Sequence, residues 1–227
     1  MTEAAIQSVV ASSDTPNAPR HCMPTKKIAA VQTLELRDAC IVAAQEVIAE
    51  RGIENLSLRD VARKLGVSHQ APYKHYPSRD HLLAEVLRRC FQGFAAHLDA
   101  RPRFADPEQD LESLGAQYLT YAHQHPLEYR LMFSTTWPES AEKSDLAKDA
   151  SHAFDVLRSV LRRIHGDSAA MREAVELDAL YIWSTMHGLA GVMNGQCIGK
   201  LDLKANVMER AVRHSMHRMG IGLAGKV

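Results

Sequence analysis

Between Ser57 and Arg79 the chain gathers side chains that donate hydrogen bonds and positive charge: Ser57, Arg59, Ser68, His69, Gln70, Tyr73, Lys74, His75 and Arg79. Groups of this kind suit phosphate oxygens and base edges; Gln has a partner in adenine and Lys in guanine. From Ser57 to Arg89 the cations are Arg59, Arg63, Lys64, Lys74, Arg79, Arg88 and Arg89, against Asp60, Asp80 and Glu85, an excess of four. His69, His75 and His81 lie close by. The whole chain is neutral, with 27 basic and 27 acidic residues. That neutrality excludes a generally basic nucleic-acid coat and leaves room for a local patch.

Other chemistries find little support. No HExxH, GxSxG, P-loop or strand-borne GxGxxG occurs. His123 and His125 are two apart, on different helix faces, and His214 with His217 lacks a nearby third ligand. The expectation is therefore no enzyme, no cofactor and no metal. Cys22, Cys40, Cys90 and Cys197 form no CxxC pair, which argues against a disulfide framework and for a reducing cytoplasm. Thiol sensing through Cys90 or Cys197 is the alternative regulatory chemistry. The apolar runs fall short of the roughly 18–20 residues of a membrane span. The first residues lack a signal peptide's cationic start and apolar core.

These side chains need helices to position them. The 227 residues (25.2 kDa) fit one large domain or two small ones packed together, and 46% apolar with 24% charged residues is ordinary globular usage. Residues 1–33 show no sustained period and read as a mobile arm carrying Arg20, Lys26 and Lys27. From Leu36 the pattern is helical, through Ile41, Ala44, Val47 and Ile48 to a stop at Gly52. Leu58, Val61, Ala62 and Leu65 give one clean face, with Ser57 and Asp60 as a capping signature and Gly66 as the C-terminal stop. Leu65-Gly66-Val67-Ser68 then turns into a second short helix, His69 to His75, capped by Ser68. Two short helices about such a turn form a helix-turn-helix, whose second helix fits the major groove. Pro72 at the fourth position removes that helix's first internal hydrogen bond. A longer helix from Ser78 to about Leu98 follows, then one opened by Asp106-Pro107 and broken at Pro126, a short one from there through Phe133, and helices at about 143–165, 169–195 and 203–219. No strand alternation appears. The chain is expected to be all-α, with about nine helices.

The run from Ala44 to Leu83, containing AERGIENLSLRDVARKLGVSHQAPYKHYPSRDHLL, resembles the N-terminal DNA-binding domain of TetR-family transcriptional repressors. The matching features are Arg51-Gly52, Ser57, Val61-Ala62, Leu65-Gly66-Val67-Ser68, Tyr73, Pro77 and a basic residue at 79. Pro72 stands where the family usually has Thr or Leu, and Arg79 where Lys is usual. Farther on, Trp183 and His187-Gly188 within IWSTMHGLAGVMNG resemble the subset named for a Trp-His-Gly signature. The resemblance implies that Ser68 and Tyr73 touch phosphates, with Ser57 or Arg59 joining them. His69, Gln70, Lys74 and His75 would face bases or adjacent backbone, Ala71 a thymine methyl or nothing, and Arg79 a phosphate. Tyr76 reads as a core aromatic.

The same resemblance implies a helix-turn-helix domain over 34–100 and a helical regulatory and dimerisation domain over 101–227. Members enclose an apolar pocket, for which Tyr118, Tyr121, Met132, Phe133, Trp137, Phe154, Trp183, Met186 and His187 are the candidates here. A homodimer is expected from the last two long helices, through Ser184, Gly188, Gly191 and Gly195 against Leu203, Val207, Ala211 and Met219. The functional expectation is a cytoplasmic repressor on a palindromic duplex operator, released by a small apolar or aromatic ligand.

Overall fold

The computed structural model describes residues 25–139, 145–166, 168–195 and 207–224. Among them there are eight α-helices and no strand: α1 (Thr25–Arg51), α2 (Leu58–Leu65), α3 (Arg79–Asp99), α4 (Pro107–Gln124), α5 (Pro126–Ser134), α6 (Leu146–His165), α7 (Arg172–Asn194) and α8 (Val207–Ala224). Short 3-10 turns stand at Ile53–Asn55, Pro72–Lys74 and Ala169–Met171. The all-helical expectation holds.

The capping signals act as their chemistry requires. Ser57 accepts the Asp60 backbone N–H at 3.1 Å and opens α2, while Gly66 closes it in the left-handed region (φ 66°) with its N–H on Ala62 and Arg63 carbonyls. Ser78 opens α3 through the His81 N–H, and Asp106 with Pro107 opens α4. Leu58, Val61 and Ala62 of α2 are buried against α1.

Two expectations are corrected. The arm was expected to run through residue 33, yet α1 begins at Thr25. Residues 25–35 contain neither Gly nor Pro, so helix can propagate there without the amphipathic stripe on which the boundary was drawn. The second correction concerns His69 to His75, which is not an α-helix. Residues 69–71 form a turn closed by Ala71 N–H to Ser68 carbonyl at 2.9 Å, and Pro72–Lys74 is a single 3-10 turn. Pro72, with no N–H and buried against the domain, interrupts the ladder where an α-helix would need it. Ser68 begins the turn with its backbone carbonyl rather than its hydroxyl.

α3 is the spine. Its buried residues run from Leu82 to Leu98, and it packs most extensively against α6 while also touching α1, α4 and α5. One apolar cluster therefore runs unbroken from Cys40 in α1 to Ala190 in α7. Just beyond α3, Arg101 and Asp110 are both buried and pair at 3.3 Å. Arg163 of α6 reaches the same carboxylate oxygen at 2.6 Å and donates to the Phe104 and Ala105 carbonyls, both at 2.8 Å. This ionic node lies where α3 gives way to α4. Among the described residues no helix is long and apolar enough to cross a membrane.

Candidate nucleic-acid interface and apolar cleft

α2 and the turn after it present the polar residues singled out above. Arg59, Ser68, His69, Gln70, Tyr73 and Lys74 are exposed; Ala71 and His75 are half-buried. Arg59, His69, Gln70 and Tyr73 line one shallow, open depression. Tyr73 is 43% exposed, a large aromatic held in water, whereas Tyr76 is 3% exposed. The Tyr76 hydroxyl donates to the Arg37 carbonyl at 3.0 Å, and burial pushes its pKa up to about 12. Tyr76 is thus the peg that fixes the turn to α1, and Tyr73 faces outward.

Two candidates have structural attachments. The half-buried Ser57 is the α2 cap, and its hydroxyl also donates to the Asp60 carboxylate. That bond, with Arg63 and Arg51 alongside, holds the Asp60 carboxyl below its ordinary range. Arg79 donates from Nε to the Leu56 carbonyl at 3.1 Å and from Nη2 to the Ile53 carbonyl at 2.7 Å. Its guanidinium holds the segment between α1 and α2 against the start of α3.

The local charge excess is largely neutralised within the fold. Lys64 bridges Glu46 (3.2 Å) and Glu50 (2.6 Å), and Arg63 meets Asp60 at 2.8 Å. Arg88 is held by Glu85 and Asp149, and Arg89 by Asp38. Arg59 and Lys74 have no ion pair among the described residues. These two cations remain available to an outside anion.

At the other end of α3 lies a narrow apolar cleft with about 30 Å3 of free volume. Of the nine pocket candidates, Tyr118, Trp183 and Met186 line it. The rest of the lining is mostly aliphatic, from Leu98 of α3, Leu111 and Leu114 of α4, Leu157 of α6 and Ile182 of α7. Tyr121 and Met132 are buried in the core, Tyr121 tilted against Phe94 at 5.0 Å. Phe133 packs edge-on to Phe94 and Trp183, and Phe154 to Trp183. Trp137 is 40% exposed and leans on Phe91. Those five do not line the cleft; Phe133 and Phe154 stand behind it, against Trp183.

His187 belongs to a polar relay that spacing did not reveal. The Tyr129 hydroxyl is 2.7 Å from His187 Nδ1 and 2.9 Å from the Tyr118 hydroxyl. Burial lowers the His187 pKa and raises those of Tyr118 and Tyr129, the latter to about 12. With the imidazole proton on Nε2, Tyr118 donates to Tyr129, which donates to Nδ1. Tyr129 is missing from the candidate set, because nothing in its own neighbourhood marks it; its partners come from α4 and α7.

The thiols read differently from the alternative raised above. Cys90 is buried and its pKa is pushed up to about 12 by that burial; Cys40 is buried and shifted the same way. Neither is a reactive thiolate. Cys197 lies outside the described residues. No three His, Cys, Asp or Glu side chains among the described residues gather as a metal site.

Along α7, Leu177, Leu180, Tyr181 and Val192 are exposed large apolar residues, continuing through exposed Ser184, Gly188 and Gly191. On α8 Val207 and Ala211 are half-buried. Leu203 lies outside the described residues, and the Met219 side chain is not among those described.

Residues 41–86 match the family model described as bacterial regulatory proteins, tetR family, and residues 111–218 match the Tetracyclin repressor-like C-terminal domain. The second match contains Trp183, His187 and Gly188. Over 159 residues the chain is 26% identical to the HTH-type transcriptional activator FasR of Mycolicibacterium smegmatis, covering 68% of this chain and 73% of that one. A protein of unknown function from Rhodococcus sp. RHA1 superposes with a TM-score of 0.66 at 22% identity, over 92% of this chain and all (100%) of the other. A putative tetR family transcription regulator from Shewanella sp. PV-4 gives 0.58 at 18% identity, over 83% and 95%. The fatty acid degradation regulator FadR from Bacillus halodurans gives 0.58 at 14% identity, over 81% and 93%.

Proposed function

As a member of the TetR family the chain is a DNA-binding transcriptional regulator, and we propose that it is a homodimeric repressor whose operator affinity falls when an apolar ligand enters the cleft. Residues 34–100 form the DNA-binding unit in this reading and 101–227 the regulatory one. The observation that carries it is the open face of Arg59, His69, Gln70 and Tyr73, flanked by Lys74, where the two cations lack internal partners. Arg59 and Lys74 engage phosphate or guanine, Gln70 and His69 read base edges, and Tyr73 contacts the backbone.

The exposed apolar stripe of α7 supports a two-fold partner, since such stripes on a monomer mark interfaces. Obligate interfaces exceed about 2,000 Å2 and are largely apolar. Two reading heads about a two-fold axis require a palindrome, with half-sites about 34–36 Å apart or more. Within the cleft the aliphatic lining favours a slender apolar chain, with the Tyr118–Tyr129–His187 relay as the nearby polar group.

Selection from random duplexes should return a palindrome, and sedimentation at micromolar concentration should give a dimer. Monomers, or no enriched sequence, would overturn the reading. Activation is the second reading, favoured by the relative FasR, itself an activator. A reporter behind the selected operator distinguishes them: repression raises expression when the regulator gene is deleted, and activation lowers it.

A further inference from the structure

Gly115 of α4 and Met216 of α8 meet at the cleft in a contact so close that any side chain at 115 would push the Met216 tip aside. A Cβ built on Gly115 would lie 2.2 Å from Met216 Cε and 2.9 Å from its Sδ, with Met186 Sδ at 3.3 Å. Both residues line the cleft. Among the described residues the other lining groups come from α3, α4, α6 and α7, so Met216 is the one side chain that α8 contributes. The tip of the thioether makes this contact. A half-buried, unbranched methionine can swing that tip without moving its backbone.

We propose that Met216, seated on Gly115, is the movable wall of the cleft, that its position sets how long an apolar chain the cleft admits, and that α8 senses occupancy through it. The proposal rests on the effector reading above. An entering chain end takes the place of the Met216 methyl beside Leu114 and Met186. Once displaced, Met216 loses its seat on α4, which with α7 makes the main contacts of α8 among the described residues. Occupancy is thereby felt on the helix next to the exposed stripe of α7. Gly115 and Met216 are specificity-determining residues in this scheme: a larger residue at 115 or a smaller one at 216 changes the accepted length.

The test uses the full chain with 13C-methyl-labelled methionines and the fluorescent apolar probe N-phenyl-1-naphthylamine. Met216→Leu assigns the Met216 resonance and keeps most of the side-chain bulk. Adding probe should shift that resonance and speed amide exchange in α8. Met216→Ala should tighten probe binding about tenfold, the worth of roughly two buried methylenes, and should abolish the α8 response. Gly115→Ala, which favours helix and so should fold, should move the Met216 resonance in the empty protein. Its effect on probe affinity should vanish in the Gly115→Ala/Met216→Ala double variant. Probe binding with an unmoved Met216 resonance, and affinity within about twofold after Met216→Ala, would overturn the movable wall and leave the effector reading standing. Failure of the probe to bind wild type and every variant would instead overturn the effector reading at this cleft, and the wall with it.

Discussion

One arginine opens α3 and another stands just beyond its end, and the two are held in opposite ways. Arg79 is half-buried and holds two backbone carbonyls of its own small unit and the Asp80 carboxylate, while Arg59 and Lys74 are exposed and have no ion pair among the described residues. Arg101 is sealed in the interior on a carboxylate shared with Arg163, twenty residues and more from any exposed cation of the reading face. One end is built to keep charge for a partner. The other neutralises charge inside the protein, where an unmatched ion costs far more.

The sharpest way to break this comparison is at Asp110. Asp110→Ala leaves Arg101 buried without its counter-ion and should lower unfolding free energy by about 3–5 kcal/mol, read by denaturant titration. A loss below about 1 kcal/mol, the worth of a surface pair, would mean that the node does not hold the junction. At the other end, Arg79→Met removes two charge-assisted bonds to backbone and a surface pair with Asp80 from a half-exposed site, and a smaller loss of about 1.5–3 kcal/mol is expected. Should Arg79→Met instead leave melting unchanged and weaken DNA binding alone, Arg79 is a phosphate contact after all, and the comparison fails.

Two finer experiments sharpen it. Lys74→Ala should reduce the salt dependence of operator binding by about one unit, whereas Lys64→Ala, whose ammonium is held by Glu46 and Glu50, should leave the slope unchanged. Equal effects would mean that internal pairing does not decide which cations reach DNA. The smallest effect is expected at His187, whose folded pKa is depressed by burial. A depressed pKa means that the unfolded chain binds protons more readily. The stability tied to neutral His187 is then full above the unfolded value near 6.5 and is lost as pH falls through the folded value below it. His187→Gln should flatten the fall in melting temperature between about pH 7 and 5 relative to wild type. An unaltered slope would remove His187 from the acid response.

The helices, their caps and the exposed polar surface of α2 and the turn after it were readable because each depends on near neighbours. Ser57 with Asp60, Gly66, Ser78 and Asp106-Pro107 act within one turn of where they stand. The shape of the 69–75 segment was not readable from helical spacing, because Pro72 decides it by one missing N–H. The charge excess was visible, and so were the one-turn pairs Arg63–Asp60 and Arg88–Glu85, but the long-range neutralisation was not: Lys64 finds its acids on α1, Arg88 a second one on α6, and Arg89 one on α1. The cleft was the least readable part. Phe133 and Phe154 have the same composition as a pocket wall and lie one layer behind it, Trp137 lies at the surface on Phe91, and the closeness of Gly115 to Met216 exists only once α8 is in place.

The burial of α3 also bears on how the chain acquires its structure. Phe91, Phe94 and Leu98 are covered chiefly by helices that follow them in sequence. A chain ended near residue 100 would leave all three in water, at roughly 1.5–3 kcal/mol apiece, a sum comparable to the whole stability of a small domain. The reading head is therefore not an autonomous folding unit: during synthesis it waits for α4 to α6, and on heating the two halves should unfold in a single cooperative transition.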